Sequence, residues 1–141
     1  VSNAITHQFE IRVRYVHTDK MGVVYNGNYL TFFEIGRTEL LRSIGLPYTD
    51  LEKNGFMLPV LEAHIEYKSP AFYDDMIVIE TTIIPERAAL LTISYDVTRN
   101  GTLLSTGYTK HSFVESDSWR PIKPPKMFTE AITNAIPKVE L

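Results

Sequence analysis

NYLTFFEIGRTELLRSIG, residues 28–45, is the stretch on which the fold turns. Tyr29, Phe33, Gly36, Leu40 and Ile44 recur at spacings of 4, 3, 4 and 4, with Leu30 and Leu41 beside them. Thr31, Glu34, Thr38 and Arg42 form a narrower polar stripe. Apolar residues at that period cover one broad face of an α-helix, so the spacing predicts a helix over 27–43, mostly buried. Gly36 inside it costs roughly 1 kcal/mol against alanine, and its presence points to close packing. "IGLP" at 44–47 ends the helix.

On either side of this helix the period changes to two. "QFEIRVRY" (8–15) alternates, with Phe9, Ile11, Val13 and Tyr15 on one face. "VLEAHIEYK" (60–68) alternates through Leu61, Ala63, Ile65 and Tyr67. "MIVIETTII" (76–84) is rich in β-branched residues, and "LLTISYDVT" (90–98) alternates through Leu91, Ile93, Tyr95 and Val97. "RNG" (99–101) is a hairpin signal before a long strand over 102–115, in which Gly107 reads as a bulge. A short helical turn is expected over 48–55, capped by Thr49 or Asp50 and stopped by Gly55, and a terminal helix over 127–136.

The order is strand, long helix, then four strands joined mostly by tight turns, which makes the last strands antiparallel. One apolar helix beside one sheet must be covered by it. The expected class is α+β: a five-stranded antiparallel sheet wrapped around one long central helix. With 141 residues and no internal repeat or linker, the chain reads as one domain, 1–141.

Composition removes several function classes. Net charge is −3, so nothing global suggests nucleic acid or an anionic membrane as a partner. The absence of cysteine excludes disulfides, thiolate metal sites and a cysteine nucleophile. His7, His17, His64 and His111 are scattered without metal-ligand spacing, so no metal is expected. No apolar run approaches the ~20 residues of a membrane span, and the first residues lack the apolar segment of a secretory leader. The expected location is the cytoplasm.

Between the first strand and the helix lies HTDKMGVVYNGNY (17–29), in which one acid, Asp19, stands among two glycines and two asparagines. Its residues Asp19, Gly22, Val23, Val24, Tyr25, Asn28 and Tyr29, followed by "FFEIGRTELLR" on the helix, resemble the 4-hydroxybenzoyl-CoA thioesterase family, in its YbgC-like acyl-CoA thioesterase branch. "EYKSPAFYDD" and "RPIKPP" resemble that family's later stretches in the same order, so the likeness covers roughly residues 8–125. The chain departs from it at His17, where many members carry aspartate, and at Asn26, where many YbgC-like members carry histidine.

The resemblance implies the hotdog fold and hydrolysis of an acyl-CoA thioester, with CoA thioester as substrate and no cofactor. That chemistry needs an activated water or a nucleophile, and a partner for the developing oxyanion. Asp19 suits the first task, as general base or as nucleophile; a capping role for it is the alternative. Free amides in the first turn of a helix suit the second, and the resemblance puts the backbone amides of Tyr25 and Asn26 against the carbonyl. Gly22 and Gly27 let the backbone come close. Glu34, on the polar stripe, is a second carboxylate: a substitute base, or a structural partner of Arg37 or Arg42. His17 shares strand parity with Asp19 and is a candidate hydrogen-bond partner for it. Tyr29 and Phe33 are candidates to line the acyl pocket, with the core as the alternative for Phe33. Lys68, Ser69 and Arg87 are candidates for the phosphates of CoA.

An open sheet with bare edges invites pairing, and the resemblance implies a homo-oligomer, a dimer of dimers, with active sites at the dimer interface. Hydrolysis of an acyl carrier protein thioester, a hydratase reaction and binding of acyl-CoA without turnover are the competing functions.

Overall fold

The computed structural model describes residues 4–85 and 89–136. Strand β1 (Ile5–Arg12) leads through a 3₁₀ turn (Tyr15–His17) and a loop into α1 (Asn28–Ser43) and the short α2 (Tyr48–Lys53). Then come β2 (Phe56–Met57), β3 (Val60–Tyr67), β4 (Met76–Ile83), β5 (Leu90–Arg99), β6 (Thr102–Ser112), β7 (Val114–Glu115) and α3 (Lys126–Ala135). Five strands form an antiparallel sheet in the order β1-β4-β5-β6-β3; β2 and β7 make a second, two-stranded sheet. This is the hotdog arrangement, with α1 laid on the sheet.

The helix docks where side chains make room for it. Tyr29, Phe32, Phe33, Gly36, Leu40 and Leu41 are buried along one face of α1. A Cβ added at Gly36 would overlap Thr81 Oγ1 and lie 2.7 Å from Ile79 Cγ2, so the glycine lets the helix backbone rest directly on β4. One turn earlier, the Phe33 ring stacks on Tyr95 of β5, with centroids 4.2 Å apart and planes 2° from parallel. Phe33 is therefore core rather than pocket wall. Phe128 of α3 closes the far end against Phe113 at 4.8 Å.

Gly107 is not a bulge. It pairs in register with Ile65 and Tyr95, and its missing Cβ leaves space for the His64 carbonyl and the edge of the Phe33 ring. The register slips instead at Leu104, between the pairs Val97–Ser105 and Thr98–Leu103, and at Leu61 in β3. The hairpin at Asn100–Gly101 has positive φ at both residues, 50° and 81°, as a two-residue turn of the I′ kind requires.

Three further expectations change. The first strand ends at Arg12, because Val13 exchanges hydrogen bonds with Asp75 and Asp74 and the chain turns away; Val13 is buried but Tyr15 is 73% exposed. The last strand is interrupted at Phe113, and its tail pairs with β2. Helix α2 is preceded by Pro47 with no side-chain cap from Thr49 or Asp50; Gly55, at φ 84°, ends it. Strand β3 lies at the edge of the sheet, and seven of its eight residues are exposed, Ile65 being half-buried. No helix among the described residues is long and apolar enough to cross a membrane.

Candidate active site

The loop between β1 and α1 is built as a tight hairpin. Asp19 N–H donates to Val23 O at 2.9 Å, Gly22 N–H donates to Asp19 O at 3.0 Å, and Thr18 and Val24 pair across the turn. Gly22 sits at φ 81°, where a side chain is strained. The Asp19 carboxylate takes part: Oδ1 accepts the Met21 N–H at 2.8 Å, an Asx turn. Asp19 is half-buried, and its second oxygen has no protein partner among the described residues.

The return arm of the hairpin lies between two neighbours. On one side Val24 N–H donates to Ala71 O at 2.8 Å and Val23 bridges to Phe72. On the other, the His17 carbonyl accepts both the Tyr25 N–H, at 2.9 Å, and the Asn28 side-chain amide, at 2.7 Å. One carbonyl thus ties the arm that carries Asp19 to the start of α1. The Tyr25 amide is consumed by that bond, which corrects its assignment as a donor to substrate.

Past Tyr25, the N–H of Gly27 is taken by the Asn26 side chain at 2.9 Å, that of Asn28 by Tyr25 O at 2.9 Å, that of Tyr29 by Asn26 O at 3.3 Å, and that of Leu30 by Gly27 O at 3.3 Å. The Asn26 N–H has no acceptor among the described residues and is the one free amide between Val24 and Leu30. Asn26 lines an open cleft of about 310 Å³ together with Val23, Val24, Tyr29, Tyr67, Lys68, Ser69 and Pro70. Tyr67, at the end of β3, donates its hydroxyl to Asn26 O at 3.1 Å and packs edge-on against Tyr29 at 5.4 Å. Burial raises the pKa of the Tyr29 hydroxyl. Tyr67 was legible only as one position of an alternating strand; nothing in that alternation shows that the strand ends at the start of the helix.

Of the residues expected at the site, this cleft gathers Asn26, Tyr29, Lys68 and Ser69, with Gly27 beside it as the residue before α1. Lys68 is engaged by Glu66 at 3.2 Å. Arg87 lies outside the described residues. His17 makes no hydrogen bond to Asp19: its Nδ1 accepts the Arg14 N–H at 3.0 Å, which leaves the proton of the neutral ring on Nε2, and the ring packs edge-on against Phe32 at 5.1 Å. Burial, then Arg14, lowers its pKa below 6.5. Glu34 lies elsewhere. It is exposed and lines a different cleft, also about 310 Å³, with Arg37, Thr38, Tyr48, Leu58 and Val60 among its walls. Arg42 pairs with Glu39 at 3.3 Å instead of with Glu34, and Glu34 has no ion pair with Arg37 among the described residues.

A family model, the thioesterase-like superfamily, matches residues 13–132, a span that runs from the end of β1 through the whole site and into α3. The chain belongs to the thioesterase-like superfamily. Among its relatives in that superfamily, the putative acyl-CoA thioesterase YneP of Bacillus subtilis is 38% identical over 122 residues, covering 86% of this chain and 88% of that protein. The acyl-CoA thioesterase YbgC of Haemophilus influenzae is 34% identical over 119 residues, covering 84% and 88%. In structure, the DHNA-CoA thioesterase of Staphylococcus aureus superposes with a TM-score of 0.85 at 32% identity, covering 92% of this chain and 89% of that one. Among the described residues of this thioesterase-like chain, no three His, Asp or Glu side chains are grouped to hold a metal.

Proposed function

We infer that the protein hydrolyses acyl-CoA thioesters, with the Asn26 N–H as oxyanion donor and Asp19 as the group that activates water. The free amide of Asn26 carries this reading, because it belongs to a residue that lines a cleft just before a 16-residue helix. There the helix dipole adds to the attraction for negative charge. A thioester carbonyl oxygen placed on that N–H gains most when it becomes an oxyanion, so the amide favours the tetrahedral intermediate over the substrate.

Water adds to the carbonyl carbon as its proton passes to Asp19. The C–S bond then breaks, CoA leaves as thiolate, and the carbonyl re-forms as the acid. The same carboxylate attacking directly would give a mixed anhydride that water then opens; both routes share Asp19 and the Asn26 amide. The Asx turn supports either, because Oδ1 is held by Met21 N–H while the other oxygen remains available.

The unit that does this is a single domain in a homo-oligomer. Strand β3 offers an unpaired edge with both faces open, which suits addition of a second copy. Two such strands paired antiparallel put the Val60 end of one beside the Tyr67 end of the other. The Asn26 cleft of one protomer then meets the Glu34–Arg37 cleft of its partner, and Glu34 enters the site only from across the interface. Two such dimers make the tetramer.

Release of free thiol from short, long and aromatic acyl-CoAs tests the reading, with the matching acyl carrier protein thioesters run beside them. Turnover of acyl-CoA is expected. A substitution that deletes the amide, Asn26→Pro, is expected to lower kcat about 10²–10³-fold, as loss of one oxyanion donor does elsewhere. Asn26→Ala, which keeps the amide, is expected to stay within a few-fold of wild type. Binding of acyl-CoA without thiol release would overturn the assignment.

A further inference from the structure

We propose that Tyr67 is a positioning residue of the reaction: its hydroxyl fixes the peptide that follows the Asn26 N–H and so holds the oxyanion donor in place. The proposal rests on the acyl-CoA reading above and adds to it a residue that acts from the edge of the sheet.

Two peptide planes meet at Asn26. The first carries the free N–H, and its carbonyl, Tyr25 O, accepts the Asn28 N–H at 2.9 Å. The second joins Asn26 to Gly27. Its N–H end is held by the Asn26 side chain at 2.9 Å, and its carbonyl accepts the Tyr67 hydroxyl at 3.1 Å. The Tyr29 N–H also reaches that carbonyl, but at 3.3 Å. Gly27 adds little restraint of its own: it has no side chain to limit rotation, and α1 starts without a side-chain cap from it. With both carbonyls that flank Asn26 held, its φ and ψ are set, and with them the direction of its N–H. A donor serves a developing oxyanion best when it is fixed before the reaction and has nothing left to reorganise.

Tyr67 can supply that restraint because of how β3 ends. It pairs in register with Ser105, whose hydroxyl donates to the neighbouring Glu66 O at 3.1 Å. Just beyond it, the N–H groups of Lys68 and Ser69 both donate to Leu104 O, at 2.9 and 3.1 Å. The strand is therefore clamped on both sides of the tyrosine. The Tyr67 ring lies edge-on to Tyr29, 5.4 Å away, and Tyr29 belongs to the core. The hydroxyl thus starts from a firm base although the residue is 52% exposed. Its proton goes to Asn26 O, so Tyr67 acts through the peptide and not on the substrate.

Tyr67→Phe keeps the ring against Tyr29 and removes only the hydroxyl. Thiol release from an acyl-CoA that the wild type turns over is the first readout. The kcat is expected to fall about five- to tenfold, roughly the worth of one neutral hydrogen bond. KM should stay within about twofold, because the oxyanion contact strengthens in the transition state, and the Tm within about two degrees. Amide NMR of the ¹⁵N-labelled protein without substrate is the second readout. The Asn26 and Gly27 resonances should move, while those of β4 and β5 should not. An unchanged kcat, a rise in KM alone, or shifts spread over the whole sheet would overturn the proposal while the wild type remains active. A wild type that releases no thiol from any acyl-CoA would overturn the acyl-CoA reading itself, and the proposal with it.

Discussion

The Arg99 guanidinium lies 2.6 Å from Asp75 Oδ2, and this contact fixes the wall of the candidate site. The same Arg99 nitrogen donates to Pro70 O at 3.2 Å, and Asp75 Oδ2 also accepts the Phe72 N–H at 2.8 Å. The loop so pinned carries Ala71, whose carbonyl holds Val24, and Val24 stands two residues before the free amide of Asn26. A pair on β5 and its facing loop therefore holds the segment that leads to the Asn26 N–H.

Removing one partner is expected to hurt twice. Both side chains are about a quarter exposed, so the 3–5 kcal/mol of a fully buried broken pair is reduced by solvent, to about 2 kcal/mol. Arg99→Met should lower the Tm by several degrees. It should also lower kcat/KM for thioester at temperatures where the variant is fully folded. A variant with the lowered Tm and undiminished kcat/KM would show that the pair does not position the site.

Gly36 gives a prediction that runs against helix propensity. Alanine should gain roughly 1 kcal/mol in an isolated helix. Here its methyl would meet Thr81 Oγ1 and Ile79 Cγ2. Overpacking typically costs 1–3 kcal/mol, so Gly36→Ala is expected to be destabilised in urea, by about 1 kcal/mol net. A raised denaturation midpoint would refute the close approach.

His111 predicts an acid limb. It is buried, its Nδ1–H donates to Leu58 O at 3.2 Å, and its Nε2 accepts from Thr109, which in turn accepts from Tyr95. Burial lowers its pKa from 6.5 to about 4, the Leu58 carbonyl opposing in part and Arg37 adding to the fall. The folded state thus binds this proton less readily than the unfolded state. The stabilisation is fully present above pH 6.5 and is lost as pH falls from there towards 4. At 1.36 kcal/mol per pH unit the loss reaches about 3 kcal/mol. His111→Gln should be less stable at pH 7 and show a flatter decline between those limits. An unchanged acid limb would place the titration on other groups.

The edge strand predicts an assembly. Light scattering at micromolar concentration should give the mass of four chains, or of two. Leu61→Asp, on the exposed part of β3, should shift the mass towards one chain and lower activity in proportion. A wild-type monomer with full thioesterase activity would contradict a shared site.

The elements were legible because their apolar periods are long and unmixed: α1 and the five sheet strands lie within a few residues of where the spacing puts them. Tyr15 misled because alternation continues past Arg12 although the chain turns there; the bonds that turn it come from Asp74 and Asp75, far along the sequence. Gly107 looked like a bulge because a glycine in a strand serves two purposes, and only the position of Phe33 decides between them. The loop motif marked Asp19, which stands in the hairpin before α1 but is not among the walls of the Asn26 cleft. Which amide stays free depends on the His17 carbonyl claiming Tyr25, a hydrogen bond that no spacing reveals. Glu34 was open to a role as substitute base or to pairing with Arg37 or Arg42; of these, Arg42 is eight residues away and pairs with the nearer Glu39.

The central claim is that Asp19 activates the attacking water or attacks in its place, and Asp19→Asn tests it most directly. Asparagine keeps an Oδ1 acceptor for the Met21 N–H, so the hairpin survives while the basic oxygen is lost. Thiol release should fall about 10²–10⁴-fold, the usual contribution of a general base, with the Tm within a degree or two of wild type. Turnover within a few-fold of wild type, in a variant that folds normally, would contradict the account.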